Sequence, residues 1–172
     1  MNSSKCWTDP FKLLYKERAK SATQRKEQGG WAAGYIYSHV PKELLYAAGI
    51  LPVQMLEDTG SVVKVLRCLP QFFCYQGLGN LELAMKGDYD YLDGVVMSHS
   101  CDPLRKLFGV WVNNIPMKFS YFLPLPLKGE PAAWNYFKEE LSLFKEAIES
   151  FVGKKITDED IRKSIEVFNR NR

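Results

Sequence analysis

The sequence predicts an α/β fold in which a mostly parallel, Rossmann-like sheet is flanked by helices. Short apolar segments alternate with amphipathic helical segments along the chain, which is the pattern of βαβ units. Glycine or proline stands between most of these segments and ends one element before the next begins. The 172 residues are 46% hydrophobic and 25% charged, as in ordinary globular proteins with one core. We therefore expect a single domain over residues 1–172.

The first two predicted strands each follow a helix. Apolar side chains recur on one face of residues 10–28, which predicts a helix that ends at a pair of glycines. The apolar and aromatic run at residues 31–37 suits a buried strand. Pro41 fits the first turn of a helix over residues 42–48, and a second strand follows at residues 50–56.

The middle of the chain repeats this alternation. Residues 62–86 are mostly helical in pattern, with an interruption at Pro70, and they precede a strand at residues 91–97. A proline opens the next helix at residues 103–112, and a fourth strand follows at residues 117–123.

Two amphipathic helices complete the predicted fold. The second begins after Thr157, whose hydroxyl can cap it, and has three acidic residues in its positive first turn. The first has apolar side chains at spacings of three and four, which are Trp134, Phe137, Leu141, Phe144, Ile148 and Phe151.

Polar side chains follow two of the predicted strands. Ser38 and His39 come directly after the first strand, and His99, Ser100 and Cys101 come directly after the third. Right-handed crossovers would place the carboxyl ends of all strands at one edge of the sheet, where such folds bind their ligands. The sequence therefore predicts that these residues share one site.

Cys101 lies at a strand-to-helix junction, just before Asp102 and Pro103. The unpaired N–H groups and partial positive charge of a helix N-terminus stabilise a thiolate, which is the form that acts as a nucleophile or metal ligand. The alternative is a small buried hydrophobe, since free cysteine is among the most buried residue types.

The other three cysteines carry weaker signals. Cys74 follows two aromatic residues and precedes two glycines, which would let the backbone approach a bulky group; a core cysteine is the alternative. Cys74 and Cys101 are 101 − 74 = 27 residues apart, which is not a compact metal motif. We expect Cys68 to have a core role and Cys6, in a polar N-terminus, to be incidental.

Ser38, His39 and Glu43 form a second group of candidates. His39 and Glu43 are four residues apart, and side chains at that spacing are neighbours on a helix. One interpretation is that the group binds or protonates a substrate at the strand edge. The other is that Ser38 caps the helix and Glu43 is solvated. His99 either lines the same site or is a structural histidine.

The composition argues against several classes of function. The net charge is 23 − 20 = +3 and the basic residues are interleaved with acidic ones, which argues against nucleic-acid binding. No apolar run approaches the ~20 residues that span a bilayer, and the N-terminus lacks the apolar segment of a signal peptide. We therefore expect a cytoplasmic protein with no membrane partner, whose cysteines are free, metal-binding or catalytic. No phosphate-binding loop motif is present, which argues against nucleotide hydrolysis by this chain.

Four segments occur in an order and spacing that are fairly specific. The run over residues 34–53 contains the pattern xPxELxxAxGxxPV, and LPQFFC at residues 69–74 and DYLDGVVMSHSCDPLR at residues 90–105 follow it. Residues 155–165 form the last segment. Together they resemble the benzoyl-CoA reductase / 2-hydroxyacyl-CoA dehydratase family, and the resemblance covers nearly the whole chain after about residue 30.

The resemblance implies an iron–sulfur subunit of an ATP-dependent, radical-type acyl-CoA enzyme. Family subunits bind a [4Fe–4S] cluster through three cysteines, and Cys74 and Cys101 match the first two ligand positions. They work in pairs of homologous subunits, and a separate activator ATPase with its own iron–sulfur cluster uses ATP to deliver a low-potential electron. The thioester carbonyl of the acyl-CoA substrate is then reduced to a ketyl radical. Ser38, His39 and Glu43 match the segment that lines the acyl-CoA pocket.

The resemblance also implies a missing part. The family's third cysteine lies in a C-terminal domain that this sequence does not contain, and family subunits are roughly twice this length. We therefore expect the chain to be the N-terminal half of a longer two-domain subunit, or a split subunit, whose third cluster ligand comes from elsewhere.

The reaction within the family stays open. The blocks around Cys74 and Asp93 are closer to the benzoyl-CoA reductase branch, which reductively dearomatises benzoyl-CoA or a related aryl-CoA. The alternatives are a 2-hydroxyacyl-CoA dehydratase subunit, which eliminates water, a double-cubane cluster protein that reduces a small molecule, and a non-catalytic α/β CoA-binding or scaffold module. Five aromatic side chains could pack an aromatic acyl group or belong to the core: Tyr35, Tyr37, Phe72, Phe73 and Tyr75.

Overall fold

The protein is described by a computed structural model that covers residues 9–17, 19–37, 39–57, 60–126 and 128–170. Four strands in this part of the chain form one sheet: β1 (Trp31–Ile36), β2 (Ile50–Gln54), β3 (Gly94–Ser98) and β4 (Phe119–Leu123). Their order across the sheet is β2-β1-β3-β4, and every pairing is parallel. The predicted α/β fold with a parallel sheet is therefore confirmed.

Seven α-helices accompany the sheet in the described ranges. In chain order they are α1 (Asp9–Lys16), α2 (Lys20–Glu27), α3 (Lys42–Ala47), α4 (Tyr75–Lys86), α5 (Asp102–Asn114), α6 (Pro131–Val152) and α7 (Asp158–Arg170), with a short 3-10 turn at Val65–Arg67. None of these helices combines the length and the apolar character that crossing a membrane requires.

Two predicted helices differ from those observed. The helix expected at residues 10–28 is two helices, α1 and α2. α2 is polar and buries only Ala22, so it does not continue the apolar face of α1. The helix expected at residues 62–86 is reduced to the 3-10 turn and α4. Pro70 explains this difference, because proline has no N–H to donate and disfavours helical backbone at the residue before it.

Helices cover both faces of the sheet, as in doubly wound folds. The face covered by α3, α6 and α7, called here the α6 face, has one hydrophobic cluster, and the face covered by α4 and α5, called the α5 face, has another. The α6-face cluster includes Ala33, Tyr35, Leu45, Phe144 and Ile148. The α5-face cluster includes Ala32, Ile36, Leu81, Leu107 and Trp111.

Asp93 fastens the amino-terminal ends of β1 and β3 to each other. Its buried carboxylate accepts the backbone N–H of Ala32 at 3.2 Å and the Lys118 ammonium at 3.0 Å. The two strands then run side by side, and Ile36 near the end of β1 is paired with Met97 near the end of β3. The segments that leave these two strands therefore start next to each other.

Candidate functional site

The carboxyl edge between β1 and β3 is the point where the winding of the sheet reverses. The chain goes from β1 to β2 on one side, whereas β3 and β4 lie on the other side, and folds of this kind bind ligands in the crevice at such a point. His39 follows β1 and Ser100 follows β3, and His39 Nδ1 lies 3.0 Å from Ser100 Oγ. Ser100 Oγ is in turn 3.1 Å from Ser98 Oγ. The two junctions therefore meet, as the sequence predicted.

Cys74 and Cys101 occupy equivalent positions at the starts of two helices. Cys74 is the N-cap residue of α4 and Cys101 is the N-cap residue of α5, and neither side chain caps its helix. Both residues are half-buried. Each helix returns antiparallel to the strand that precedes it, so both N-termini lie at the carboxyl edge of the sheet. Both thiols therefore lie at helix N-termini on the edge where such folds bind their ligands.

The pKa of Tyr37 is influenced by both cysteines. Burial raises the pKa of its hydroxyl above the ordinary value, and interactions with Cys74 and Cys101, a hydrogen bond with the Cys74 side chain and the carboxylate of Glu57 raise the pKa further. The Tyr37 ring packs against the α5-face cluster, and so does Cys101. Two thiols that are 101 − 74 = 27 residues apart in the chain therefore both raise the pKa of one hydroxyl group.

The backbone of Tyr37 is unusual. Its φ is +66°, and it is the one non-glycine residue in the described ranges with a positive φ. Ala33 and Tyr35 alternate along β1 toward the α6 face, so a regular strand would send Tyr37 the same way. Instead Tyr37 packs on the α5 face, beside Cys101. From the sequence, Tyr37 was expected only to be one of five aromatic side chains that pack an acyl group or the core. No local sequence pattern predicts a tyrosine with left-handed backbone.

The described residues place two half-buried cysteines, Cys74 and Cys101, at this edge of the sheet and no complete set of metal ligands. No cluster of three or more histidine, cysteine, aspartate or glutamate side chains within them is arranged to hold a metal ion. Cysteine sulfur is the donor that iron–sulfur clusters use in proteins. Cys74 and Cys101 thus fit part of such a site, and its remaining ligands would have to come from elsewhere.

Cys68 does not belong to this pair. The prediction that it has a core role is wrong, because its side chain is exposed. Its sulfur lies 3.7 Å from the side-chain oxygen of Asn114, the last residue of α5, whereas Cys101 precedes the first. The rise along a helix of this length separates those two ends by about 18 Å, too far for one cluster. Cys6 lies outside the described residues.

His39 and Glu43 are not neighbours on one helix, which the spacing of the two residues had suggested. Helix α3 begins at Lys42 with Pro41 as its N-cap residue, so His39 precedes the helix and is not a helical neighbour of Glu43. The Glu43 side chain lies on the α6 face, where it lines a groove and raises the pKa of Tyr35 in addition to the effect of burial. Ser38 lies outside the described residues.

His99 has partners of its own next to the site. Its Nε2 lies 3.6 Å from Asp102 Oδ1, and its ring centroid is 6.1 Å from that of Phe122 on β4. The backbone N–H of His99 donates to the carbonyl of Leu123. His99 therefore lies toward β4, and it is His39 that contacts Ser100.

The candidate aromatic side chains separate into core and surface. Tyr35 is buried, and Phe73 packs on Gly77, where an added Cβ would lie 2.8 Å from the ring. The bulky group that Gly77 admits is therefore Phe73. Phe72 is 92% exposed and Tyr75 is half exposed, and these two residues flank Cys74. An exposed aromatic surface thus borders one of the two thiols.

Comparisons with known proteins place this geometry in context. The family model described as 2-hydroxyglutaryl-CoA dehydratase, D-component, matches residues 37–172. The chain is 31% identical over 141 residues to a benzoyl-CoA reductase subunit of Thauera aromatica, which covers 80% of this chain and 36% of the relative. It is 31% identical over 178 residues to the (R)-phenyllactyl-CoA dehydratase beta subunit of Clostridium sporogenes, which covers 99% of this chain and 46% of the relative.

A third relative extends the range of reactions. The beta subunit of the (R)-2-hydroxyglutaryl-CoA dehydratase of Acidaminococcus fermentans is 31% identical over 150 residues, covering 86% of this chain and 40% of the relative. The chain therefore spans less than half the length of each of these curated relatives. Their names join one reductase subunit with dehydratase subunits.

Proposed function

Because this chain belongs to the family of the 2-hydroxyglutaryl-CoA dehydratase D-component and benzoyl-CoA reductase subunits, we propose that it is an iron–sulfur subunit of a radical-type acyl-CoA enzyme. The main support from the structure is that Cys74 and Cys101 are the N-cap residues of two helices, α4 and α5, whose N-termini lie at the carboxyl edge of the sheet. Two thiols at two helix N-termini are suited to holding an electron-carrying cluster.

The residues of this chain have distinct roles in the proposal. When bound, a [4Fe–4S] cluster supplies one-electron reduction. Cys74 and Cys101 would hold it as thiolates, and the third thiolate would come from outside the described residues. His39 and Ser100, which contact each other beside Cys101, bind or protonate the acyl-CoA at the edge of the sheet. Ser38 and Glu43 match the family segment that lines the acyl-CoA pocket, and we assign them to substrate binding on that ground.

The rest of the enzyme is supplied by other chains. Each of the relatives is named as one subunit of its enzyme, and the dehydratase relatives are named as beta subunits, which supports an assembly with a homologous second subunit. A separate activator ATPase with its own iron–sulfur cluster delivers the electron and hydrolyses ATP. This division of labour accords with the absence of a phosphate-binding loop motif from the sequence.

The preferred substrate is benzoyl-CoA or a related aryl-CoA, which the enzyme dearomatises reductively. The exposed rings of Phe72 and Tyr75 on either side of Cys74 support this choice, because aromatic side chains pack well against an aromatic acyl group. Dehydration of a 2-hydroxyacyl-CoA is the second candidate, and it is favoured by the dehydratase relatives.

Iron and sulfide analysis tests the ligand assignment. The subunit is purified without oxygen, in complex with its partner subunits, as wild type and as Cys74→Ala, Cys101→Ala and Cys68→Ala. We expect wild type and Cys68→Ala to contain equal iron, and the other two variants to lose most of it. Cys68 is the matched control, since it lies at the far end of α5. Absence of iron from the wild-type complex would instead indicate a non-catalytic module.

Substrate turnover separates the two reactions. Wild-type complex with activator and ATP is offered benzoyl-CoA or a set of 2-hydroxyacyl-CoAs, and the products are identified by mass. A product heavier than benzoyl-CoA by two hydrogens supports ring reduction. A product lighter than its 2-hydroxyacyl-CoA by one water supports the second candidate.

A further inference from the structure

We propose that Ser98 is a positioning residue for His39. Its buried hydroxyl starts a line of hydrogen bonds through Ser100 to His39, called here the serine relay, which keeps the proton of the neutral His39 ring on Nε2. Where it concerns the acyl-CoA, the inference rests on the proposed function. The relay itself is a property of this chain and can be tested without a cluster or a substrate.

The serine relay extends from the core to the surface. Ser98, the last residue of β3, is fully buried, and its Oγ lies 3.1 Å from Ser100 Oγ. The backbone N–H of Ser100 also donates to the Ser98 carbonyl at 2.7 Å. Ser100 Oγ lies 3.0 Å from Nδ1 of His39, which is exposed. Ser98 therefore holds both the backbone and the hydroxyl of the residue that contacts His39.

The burial of Ser98 sets the direction of these hydrogen bonds. A serine hydroxyl has one proton, and Ser100 Oγ is the one hydrogen-bond partner of Ser98 Oγ within the described ranges. If Ser98 were the acceptor, its own proton would be buried without an acceptor, which is unfavourable. Ser98 therefore donates to Ser100. Each hydroxyl proton of the relay then has an acceptor in the described part of the chain only if Ser100 donates to Nδ1 of His39.

This direction determines what His39 offers at the edge of the sheet. In a neutral imidazole one ring nitrogen is a donor and the other is an acceptor. Because Nδ1 accepts from Ser100, the proton is on Nε2, and no residue in the described ranges is hydrogen-bonded to that nitrogen. His39 therefore presents an N–H donor at the carboxyl edge, where an oxygen of the acyl-CoA would accept it. Ser98 acts only through this donor and would not touch the acyl-CoA.

Nitrogen NMR of the full chain tests the relay. The sequence has two histidines, so isotope-labelled histidine gives signals from two rings, and His39→Gln identifies those of His39. At about pH 9, where imidazole is neutral, we expect wild type to carry the His39 proton on Nε2. Ser98→Ala should give a mixture of the two tautomers. The matched control is Ser120→Ala on the adjacent strand β4, and it should match wild type.

Two results would contradict the proposal. A wild-type spectrum with the His39 proton on Nδ1 would overturn the direction of the relay, and this result needs no variant. The wild-type tautomer in Ser98→Ala would overturn the assigned role of Ser98. A second variant, Ser100→Ala, changes a half-buried position and removes the contact with His39, so it should give the same mixture as Ser98→Ala.

Turnover by the complex tests the consequence for the reaction. The complex is given activator, ATP and the acyl-CoA that wild type converts, either benzoyl-CoA or a 2-hydroxyacyl-CoA. We expect Ser98→Ala to lower kcat several-fold at equal iron content, and Ser120→Ala to keep the wild-type kcat. An unchanged kcat in Ser98→Ala would overturn the role of the relay in the reaction. Failure of the proposed function would appear separately, as iron missing from the wild-type complex.

Discussion

Gly94 and Gly109 show how differently the fold constrains two residues of one type. At Gly94, the first residue of β3, an added Cβ would lie 2.7 Å from the carbonyl oxygen of Phe119 on the adjacent strand. At Gly109, within α5, an added Cβ would meet nothing within 4 Å. The close approach of β3 and β4 therefore requires glycine at one position, whereas no contact requires it at the other.

Alanine substitutions at these two glycines should change stability in opposite directions. Gly109→Ala should raise the free energy of unfolding by about 0.5–1 kcal/mol, because glycine is a poor helix former. Gly94→Ala should lower it by about 1–3 kcal/mol, as overpacking does. Urea unfolding of both variants and wild type measures the two changes. A Gly94→Ala protein as stable as wild type would show that β3 and β4 can separate without loss.

The candidate site could be predicted only in part at the residue scale. The position of Cys101 at a helix N-terminus follows from Asp102 and Pro103, which are local signals, and the structure agrees. The equivalent position of Cys74 is not visible locally, because the helical pattern continues across it. The packing of Tyr37 on the α5 face goes with a left-handed backbone, so no local pattern could predict it.

The junction between α6 and α7 is organised by a buried carboxylate. Glu149, near the end of α6, accepts hydrogen bonds from Lys145 at 2.8 Å, from Lys155 at 2.7 Å and from the backbone N–H of Ile156 at 2.8 Å. The bonds from Lys145 and Lys155 are the largest of the effects that lower the pKa of Glu149 to about 2. The loop between the two helices is therefore tied to α6 by an ionised group.

Acid should weaken this junction. Because the folded-state pKa of Glu149 lies below its ordinary value of 4.5, its contribution to stability is complete above about pH 4.5 and is lost as the pH falls toward 2. Glu149→Gln should therefore have a smaller fall in melting temperature than wild type between pH 5 and pH 3. The two proteins can be compared by circular dichroism across that range. An equal fall in melting temperature for the two proteins would contradict the lowered pKa of Glu149.

The start of α7 has a reciprocal capping arrangement. The Thr157 hydroxyl oxygen accepts the backbone N–H of Asp160 at 3.2 Å, and the Asp160 carboxylate accepts the backbone N–H of Thr157 at 3.0 Å. Thr157→Ala should lower the free energy of unfolding by about 1 kcal/mol, as loss of an N-cap does. Thr157→Ser, which keeps the hydroxyl, should stay within about 0.5 kcal/mol of wild type in the same urea experiment.

Helices with a full apolar face could be predicted, whereas irregular segments could not. The spacing between Trp134 and Phe151 defined α6, and Thr157 marked the start of α7, as observed. The segment at residues 62–74 looked helical because its apolar residues are frequent. Its path is instead decided by Pro70 and by tertiary contacts such as the bond from the Val65 N–H to Glu82.

At the scale of the whole molecule, stability is concentrated at the centre of the sheet. β1 and β3 are the two inner strands, and helices cover both of their faces. The helix α1 is much less buried than these strands, because its Phe11 and Leu14 side chains are 64% and 66% exposed. Segments with few buried contacts open more easily than the core does.

Hydrogen exchange should reproduce this gradient. We expect the amides of β1 and β3 to exchange most slowly and those of α1 to exchange fastest among the described helices, measured by mass spectrometry on the isolated chain at neutral pH. Protection of α1 equal to that of β1 would mean that its apolar side chains are covered in solution, contrary to their exposure in the structure.

More of the sheet topology than of the candidate site could be predicted from the sequence. The alternation of apolar and amphipathic segments was enough for a parallel sheet, and right-handed crossovers were enough to bring the β1 and β3 junctions together. The strand order was not encoded locally, since it depends on which edges pair after the chain collapses. The side on which each candidate residue lies, with Glu43 on one face and Cys101 on the other, depends on that same packing.

The placement of Cys74 and Cys101 at the starts of α4 and α5 also has a consequence for chain entropy. Any group bound by both sulfurs closes a loop of 101 − 74 = 27 residues that contains α4 and β3. By the estimate used for disulfides, such a crosslink reduces the freedom of the unfolded chain by about 3–4 kcal/mol. If the crosslink survives in the unfolded chain, a group bound by both sulfurs would also stabilise the folded chain. Under the proposed function, its loss would then lower the free energy of unfolding as well as stop the chemistry.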